Sequence, residues 1–124
     1  MKQGLSMAIG LLAFMSGVST PLPAFAQENV RVVTKTLPSS SAHKECFSVN
    51  ENQVVRYWYR ADSLIDFNIQ YVEGNKTVFE LKRDRQALGS GSYAPKVARD
   101  YCMVWTNAFN KPVLFRVELA RLAR

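Results

Sequence analysis

Histidine is almost absent from this chain: His43 is the only one, and the cysteines number two, Cys46 and Cys102. A zinc centre needs about four ligands, so these residues cannot furnish one. Histidine-based acid–base catalysis would have only His43, which stands in a segment bearing Ser41 and Lys44 and reads as a solvated loop residue. The two cysteines lack the Cys-x-x-Cys spacing of a redox pair. No Gly-x-Ser-x-Gly elbow and no phosphate-cradling glycine loop occurs. The acids are scattered, and none is paired with another by its position. No stretch keeps a helical period, and there is no internal repeat. The expectation is a protein without catalysis, metal or cofactor.

Long apolar runs are also scarce, and the one present lies at the start. Lys2 supplies a positive charge, Leu5 to Val18 is mostly apolar, and Pro21 and Pro23 interrupt it. Ala24-Phe25-Ala26 is a small-x-small cleavage site. This is the three-part pattern of a signal peptide, and the run is shorter than the roughly 20 apolar residues of a membrane span. We therefore expect residues 1–26 to be a cleaved leader and residues 27–124 to be one domain. With no further apolar run, no transmembrane segment is expected after cleavage. The address is periplasmic or secreted, with a leader of bacterial type. In that setting Cys46 and Cys102 read as a structural disulfide, rather than as free thiols or redox or metal ligands. Closing so long a loop contributes about 4 kcal/mol in the loop-entropy model.

What the chain has in abundance is strand signal. Val30 to Leu37 is rich in β-branched residues and stops at Pro38 and Ser39-Ser40-Ser41. Glu45 to Val49 is a short strand. Gln53 to Ala61 alternates, with Val55, Tyr57, Tyr59 and Ala61 on one face and Val54, Arg56, Trp58 and Arg60 on the other. Leu64 to Val72 sets Ile65, Phe67, Ile69 and Tyr71 against Asp66, Asn68 and Gln70. Glu73-Gly74-Asn75-Lys76 is a hairpin turn, and Thr77, Phe79 and Leu81 align on one face of the returning strand. Lys82 to Ser92 is the loosest stretch, an exposed loop or frayed edge. Asp100 to Thr106 is apolar on both faces and reads as a strand covered on both sides. Val113 to Leu119 turns Val113, Phe115, Val117 and Leu119 inward, and Ala120 to Arg124 is expected to fray. The expected fold is a single antiparallel all-β sandwich of seven to eight strands, jelly-roll-like, with one disulfide.

The formal charge of the whole chain is +6, and the leader carries only Lys2 of it. Such a balance suits acidic protein faces or anionic envelope polymers and lipids. Nucleic acid is not expected as a partner, because the charge is spread and the address is exported. The candidate contact set is Arg56, Trp58 and Arg60, which share a face and combine residue types enriched in binding hot spots. Asp66 and Asn68 share the polar face of the next strand and are a second candidate. Lys82, Arg83 and Arg85 form a weaker basic cluster. The expected function is a non-catalytic binding module for an unknown protein or envelope component. Its rivals are a small exported enzyme inhibitor and a charge-driven binder of anionic polymer or lipid.

Several segments in order resemble the Golgi-dynamics, or GOLD, domain of early-secretory-pathway cargo receptors. Glu45-Cys46-Phe47 is similar to its first cysteine strand. Leu64 to Tyr71, closed by Gly74, is similar to its central hairpin, and Gly91-Ser92-Tyr93-Ala94-Pro95 to the glycine–aromatic step that follows. Tyr101-Cys102-Met103-Val104-Trp105-Thr106-Asn107 looks like the second cysteine strand, and Val113 to Leu119 like the closing strand. The resemblance covers Glu45 to Leu119. It implies a β-sandwich with Cys46 bonded to Cys102 and a binding role without catalysis. Asp100 stands where the family usually has glycine. The family's coiled coil, membrane helix and sorting tail have no counterpart, so vesicle trafficking is not implied.

Overall fold

The computed structural model describes residues 29–124; the expected leader, residues 1–26, lies outside them. The described residues are all-β. Six antiparallel strands follow in order: β1 (Asn29–Leu37), β2 (Ala42–Val49), β3 (Gln53–Glu73), β4 (Lys76–Tyr93), β5 (Arg99–Thr106) and β6 (Val113–Ala123). They form one sheet in the order β1-β6-β3-β5-β2, with β4 on the other flank of β3. β3 changes neighbour along its length. Gln53–Ala61 pairs with β6, Asp66–Gln70 pairs with β5, and β4 accompanies both halves. The sheet thus curls into two facing layers, β1-β6-β3-β4 and β2-β5-β3-β4.

Six strands replace the expected seven to eight because two long strands bend where a break was expected. The segments Gln53–Ala61 and Leu64–Val72 are two arms of β3, and Lys82–Ser92 is a continuous part of β4. The register slips between Arg60 and Ile65 and again before Phe67, as β-bulges do when a strand must turn a corner. Corner amides that would lose ladder partners are met by carboxylates. Asp66 Oδ1 accepts from the Arg85 amide at 2.9 Å, and Asp62 Oδ1 accepts from the Leu114 amide at 2.9 Å. Arg85 takes a left-handed backbone, φ 59°.

Gly89 and Gly91, which made Lys82–Ser92 look like a loop, are strand residues with a packing role. They stand opposite Tyr59 and Tyr57 in register. A Cβ on Gly91 would sit 2.7 Å from the Tyr57 hydroxyl, and one on Gly89 would run into the Tyr59 ring. The glycines are flat places on which two tyrosine rings lie. The hairpin turn is as expected, with Glu73 paired to Lys76 and Gly74 at φ 63°. One parity expectation fails beyond it. A register shift after Ile69 leaves Glu80 as an extra residue, so Leu81 faces inward while Phe79 lies outside, 47% exposed. The tail expected to fray is held, since β6 stays paired through Ala123 opposite Gln53.

Between the layers lies an aromatic core. Trp105 of β5 is fully buried, with Phe67 of β3 stacked at 5.2 Å and Phe115 of the facing layer at 5.6 Å between centroids. Tyr59, Tyr101, Met103, Val113 and Val117 complete it. β5 is covered fully on one side and in part on the other, where Val104 is 8% exposed. Tyr101, Met103 and Trp105 point into the core, while its other face carries Cys102 and Val104.

One buried polar residue ties the end of the sandwich together. Asn107 donates its side-chain amide to the carbonyls of Leu37 (3.0 Å), Pro38 (3.2 Å) and Lys111 (2.8 Å), and accepts from the Phe109 amide (2.9 Å). Its backbone exchanges hydrogen bonds with Ser40 and Ser41. The β1–β2 and β5–β6 connections are therefore fastened to a single side chain.

Cys46 and Cys102 are bonded, 56 positions apart in the chain and directly opposite each other on β2 and β5, with Cα atoms 4.0 Å apart. The bond lies on the outer face. It clips the edge strand β2 to its neighbour instead of joining the layers. A formed disulfide belongs to an oxidising, exported compartment. Among the described residues no helix is long and apolar enough to cross a membrane.

This packing sets the outcome of three substitutions. Gly89→Ala is expected to destabilise by about 1–3 kcal/mol through overpacking against Tyr59, read as a lower urea midpoint at unchanged slope. Asn107→Ala is expected to cost roughly 3 kcal/mol, because it strands buried carbonyls. Asn107→Asp should be worse than alanine at neutral pH, since a carboxylate would face three carbonyl oxygens.

Candidate functional site

Strand parity carries Arg56, Trp58 and Arg60 to the outer face of the β1-β6-β3-β4 layer, away from the core that Val55, Tyr57 and Tyr59 enter. Trp58 is half-buried there, with both arginines exposed. The Arg60 guanidinium lies 5.9 Å from the Trp58 ring centroid, within cation–π range. Asp66 and Asn68 are not part of this surface. They lie on the outer face of the opposite layer, where they pair with Thr106 and Val104 of β5. Asp66 is engaged at the corner through the Arg85 amide. Asn68 Oδ1 is buried with no hydrogen-bond partner among the described residues. The five candidate binding residues thus divide between two faces of the molecule.

The register shows what surrounds Trp58. It stands between Glu118 of β6 and Ser90 of β4, with Val32 of β1 beyond Glu118. In the next row Arg60 stands directly opposite Arg116, flanked by Thr34 and Leu88. Arg116 also reaches Glu118 at 3.1 Å and Thr34 Oγ1 at 3.2 Å. Like charges directly across a strand pair cost stability, a cost that the bonds of Arg116 to Glu118 and Thr34 offset in part. Four large apolar side chains share this face and are exposed: Val30 (66%), Val32 (48%), Leu88 (59%) and Leu114 (54%). Arg116 and these four were not singled out from the sequence. Only the pairing of β1, β6 and β4 with β3 brings them beside Trp58.

His43 departs from its reading as a solvated loop residue. It belongs to β2 and points inward, its ring 6.0 Å from Trp105 and 5.9 Å from Phe115. Its Nε2 lies 2.6 Å from Glu45 Oε2, and its Nδ1 lies 3.4 Å from Lys35 Nζ. Arg31 Nε donates to Glu45 Oε1 at 2.8 Å. Lys35, His43, Glu45 and Arg31 thus close the open side of the sandwich between its edge strands β1 and β2. The signal that could have found them is period two. Arg31 and Lys35 stand in line with the inward Val33 and Leu37, yet they are charged.

The opposite open side, along β4, holds tyrosines. Burial pushes the Tyr59 hydroxyl up to about 12, the neighbouring Tyr57 adds to this, and Arg83 opposes it. Tyr57 is raised by burial as well, again against Arg83. Tyr93 is raised by burial and by hydrogen bonding with Tyr101 and Glu80. Its hydroxyl donates to Glu80 Oε1 at 2.9 Å, which links the two arms of β4.

Comparison with protein-family models and with curated proteins returns no match. Among solved structures, a de novo designed double-stranded β-helix determined by solution NMR is similar at 15% identity and a TM-score of 0.43, over 72% of this chain and 97% of that one.

A tyrosine whose folded pKa lies above its unfolded value stabilises fully below the unfolded value and loses that contribution as pH rises through the folded one. For Tyr59 this window runs from the ordinary 10.0 to about 12. Stability measured by urea titration should therefore fall across that range, and Tyr59→Phe should flatten the fall.

Proposed function

We propose that the protein is an exported, non-catalytic binding module, periplasmic or secreted, whose contact surface is the outer face around Trp58. The observation that carries this reading is the Arg60–Arg116 pair. Two arginines stand directly opposite each other beside a half-buried tryptophan, on a face where Val30, Val32, Leu88 and Leu114 are exposed. Local rules of stability are broken in this way where a surface serves something other than the fold. Trp and Arg are also the side chains that most often dominate an interface. With Arg56, Arg60 and Arg116 against Glu118, the face is net positive. It suits a protein or other envelope component that offers acidic groups beside apolar ones.

His43 supports the non-catalytic part of this reading. Both ring nitrogens are engaged, and the ring is packed on Trp105 and Phe115. The resemblance of Glu45–Leu119 to the GOLD domain supports it separately, because that resemblance implies binding without chemistry. The arginine pair also suits a polymer held by charge alone, which exposed apolar groups would not help to bind.

The test is affinity capture from envelope extract on the immobilised, oxidised protein at low and high salt. A protein partner retained at high salt, and lost with the Trp58→Ala/Arg60→Ala double variant, is the expected result. The loss should be roughly tenfold or more for residues of hot-spot type, with the melting temperature little changed. Release of everything at high salt would replace this reading with charge-driven attachment, since exposed charges are screened over about 8 Å at physiological ionic strength. Equal retention by the double variant would overturn the surface assignment.

A further inference from the structure

The open side between β1 and β2 contains a cleft of about 440 Å³. Its floor is apolar: Phe47, Val55 and Leu119. Arg31, Glu45 and Arg121 supply its polar groups. The volume falls in the range of small-molecule pockets, roughly 300–1,000 Å³, and the lining has their usual form, an apolar bed with a few placed polar groups.

Arg121 is the residue that the fold does not explain. β6 turns Val113, Phe115, Val117 and Leu119 into the core, and Arg121 is the next residue on the same inward face, opposite Val55. It is half-buried, yet among the described residues it has no ion pair and no hydrogen bond. The other ionisable groups of this side have partners: Glu45 is bonded to Arg31 and to His43, and Lys35 Nζ lies 3.4 Å from His43 Nδ1. An inward guanidinium without a carboxylate is costly unless something supplies one. With Glu45 already shared between Arg31 and His43, the cleft has an unmatched positive charge above an apolar floor.

We propose that this cleft binds a small amphiphilic anion, with an oxyanion head on Arg121 and an aliphatic body on Phe47, Val55 and Leu119. The guanidinium fork matches carboxylate and phosphate oxygens in two-point fashion, so both head groups belong to the class. The cleft lies on the open side of the sandwich and does not include Trp58; of the contact face proposed above it shares only Val30, at its rim.

The experiment is a titration of the exported, oxidised protein, by calorimetry and by backbone-amide NMR shifts, with octanoate, octyl phosphate, octanol and acetate. Octanoate or octyl phosphate is expected to bind and to shift the amides of Phe47, Val55, Leu119 and Arg121. Octanol, which lacks the charge, and acetate, which lacks the body, should each bind roughly tenfold or more weakly. Preference between the two anions identifies the head group. Arg121→Ala should lose roughly tenfold or more, with Arg121→Lys recovering part of that. The Trp58→Ala/Arg60→Ala variant should bind like the unmodified protein. Octanol binding as well as octanoate, unchanged affinity in Arg121→Ala, or no uptake of either anion into the millimolar range would each overturn the proposal. If Arg121→Ala does not fold, the comparison of octanoate with octanol on the unmodified protein still decides.

Discussion

The corner of β3 is the constraint on which the rest of the structure depends. One strand serves both layers, so its hydrogen-bonding must change partner from β6 to β5 within a few residues. An amide left without a partner there would cost as much as a lost hydrogen bond. Asp62 and Asp66 meet that demand from the strand itself, by accepting amides of the neighbouring β6 and β4. Once the corner is satisfied, the two arms of β3 face each other across Phe67, Tyr59 and Trp105. β4 follows β3 around the bend, while β1 and β2 occupy the free edges. Both surfaces to which roles are assigned above exist because of this geometry. One is the outside of an arm, and the other is the gap between the two edges.

Much of this was legible in the sequence, wherever alternation was clean and local. Val55 to Ala61, Ile65 to Ile69 and Val113 to Leu119 face as their period indicates, and Gly74 marks the hairpin. Parity also sets Trp58 on the face opposite Tyr57 and Tyr59, but whether that face is open was legible only from the pairing of the strands. The corner was not legible, because Asp62 and Asp66 look like ordinary polar residues until the amides they accept are known. Lys82–Ser92 was misread for a related reason: the apolar cover of Gly89 and Gly91 comes from tyrosines on another strand. The row of Arg31, Lys35, Glu45 and Arg121, in line with the core-facing residues of their strands, was hidden by the convention that charge faces water. Alternation places those side chains correctly, and only their chemistry argues against it.

The two open sides of the sandwich are closed by different chemistry. Along β4 the seal is aromatic, with Tyr57, Tyr59 and Tyr93 lying over glycines or reaching Glu80. Along β1 and β2 it is ionic, with the disulfide holding β2 in place from outside. Aromatic cover excludes water and rigidifies. An ionic row leaves room and polarity, and the cleft of about 440 Å³ lies on that side.

The order of pairing governs how the chain is assembled. β1 pairs with β6, the last strand, and β2 pairs with β5, so the first two strands have no partner until the final third of the chain is present. Only the β3–β4 hairpin is closed by near neighbours. Folding dominated by such distant pairings is slow, because loop-closure entropy is spent before contacts repay it. A chain threaded through a pore from its beginning would stay extended and pliable for most of its passage. It would become a closed domain only when β6 arrived to complete the first layer.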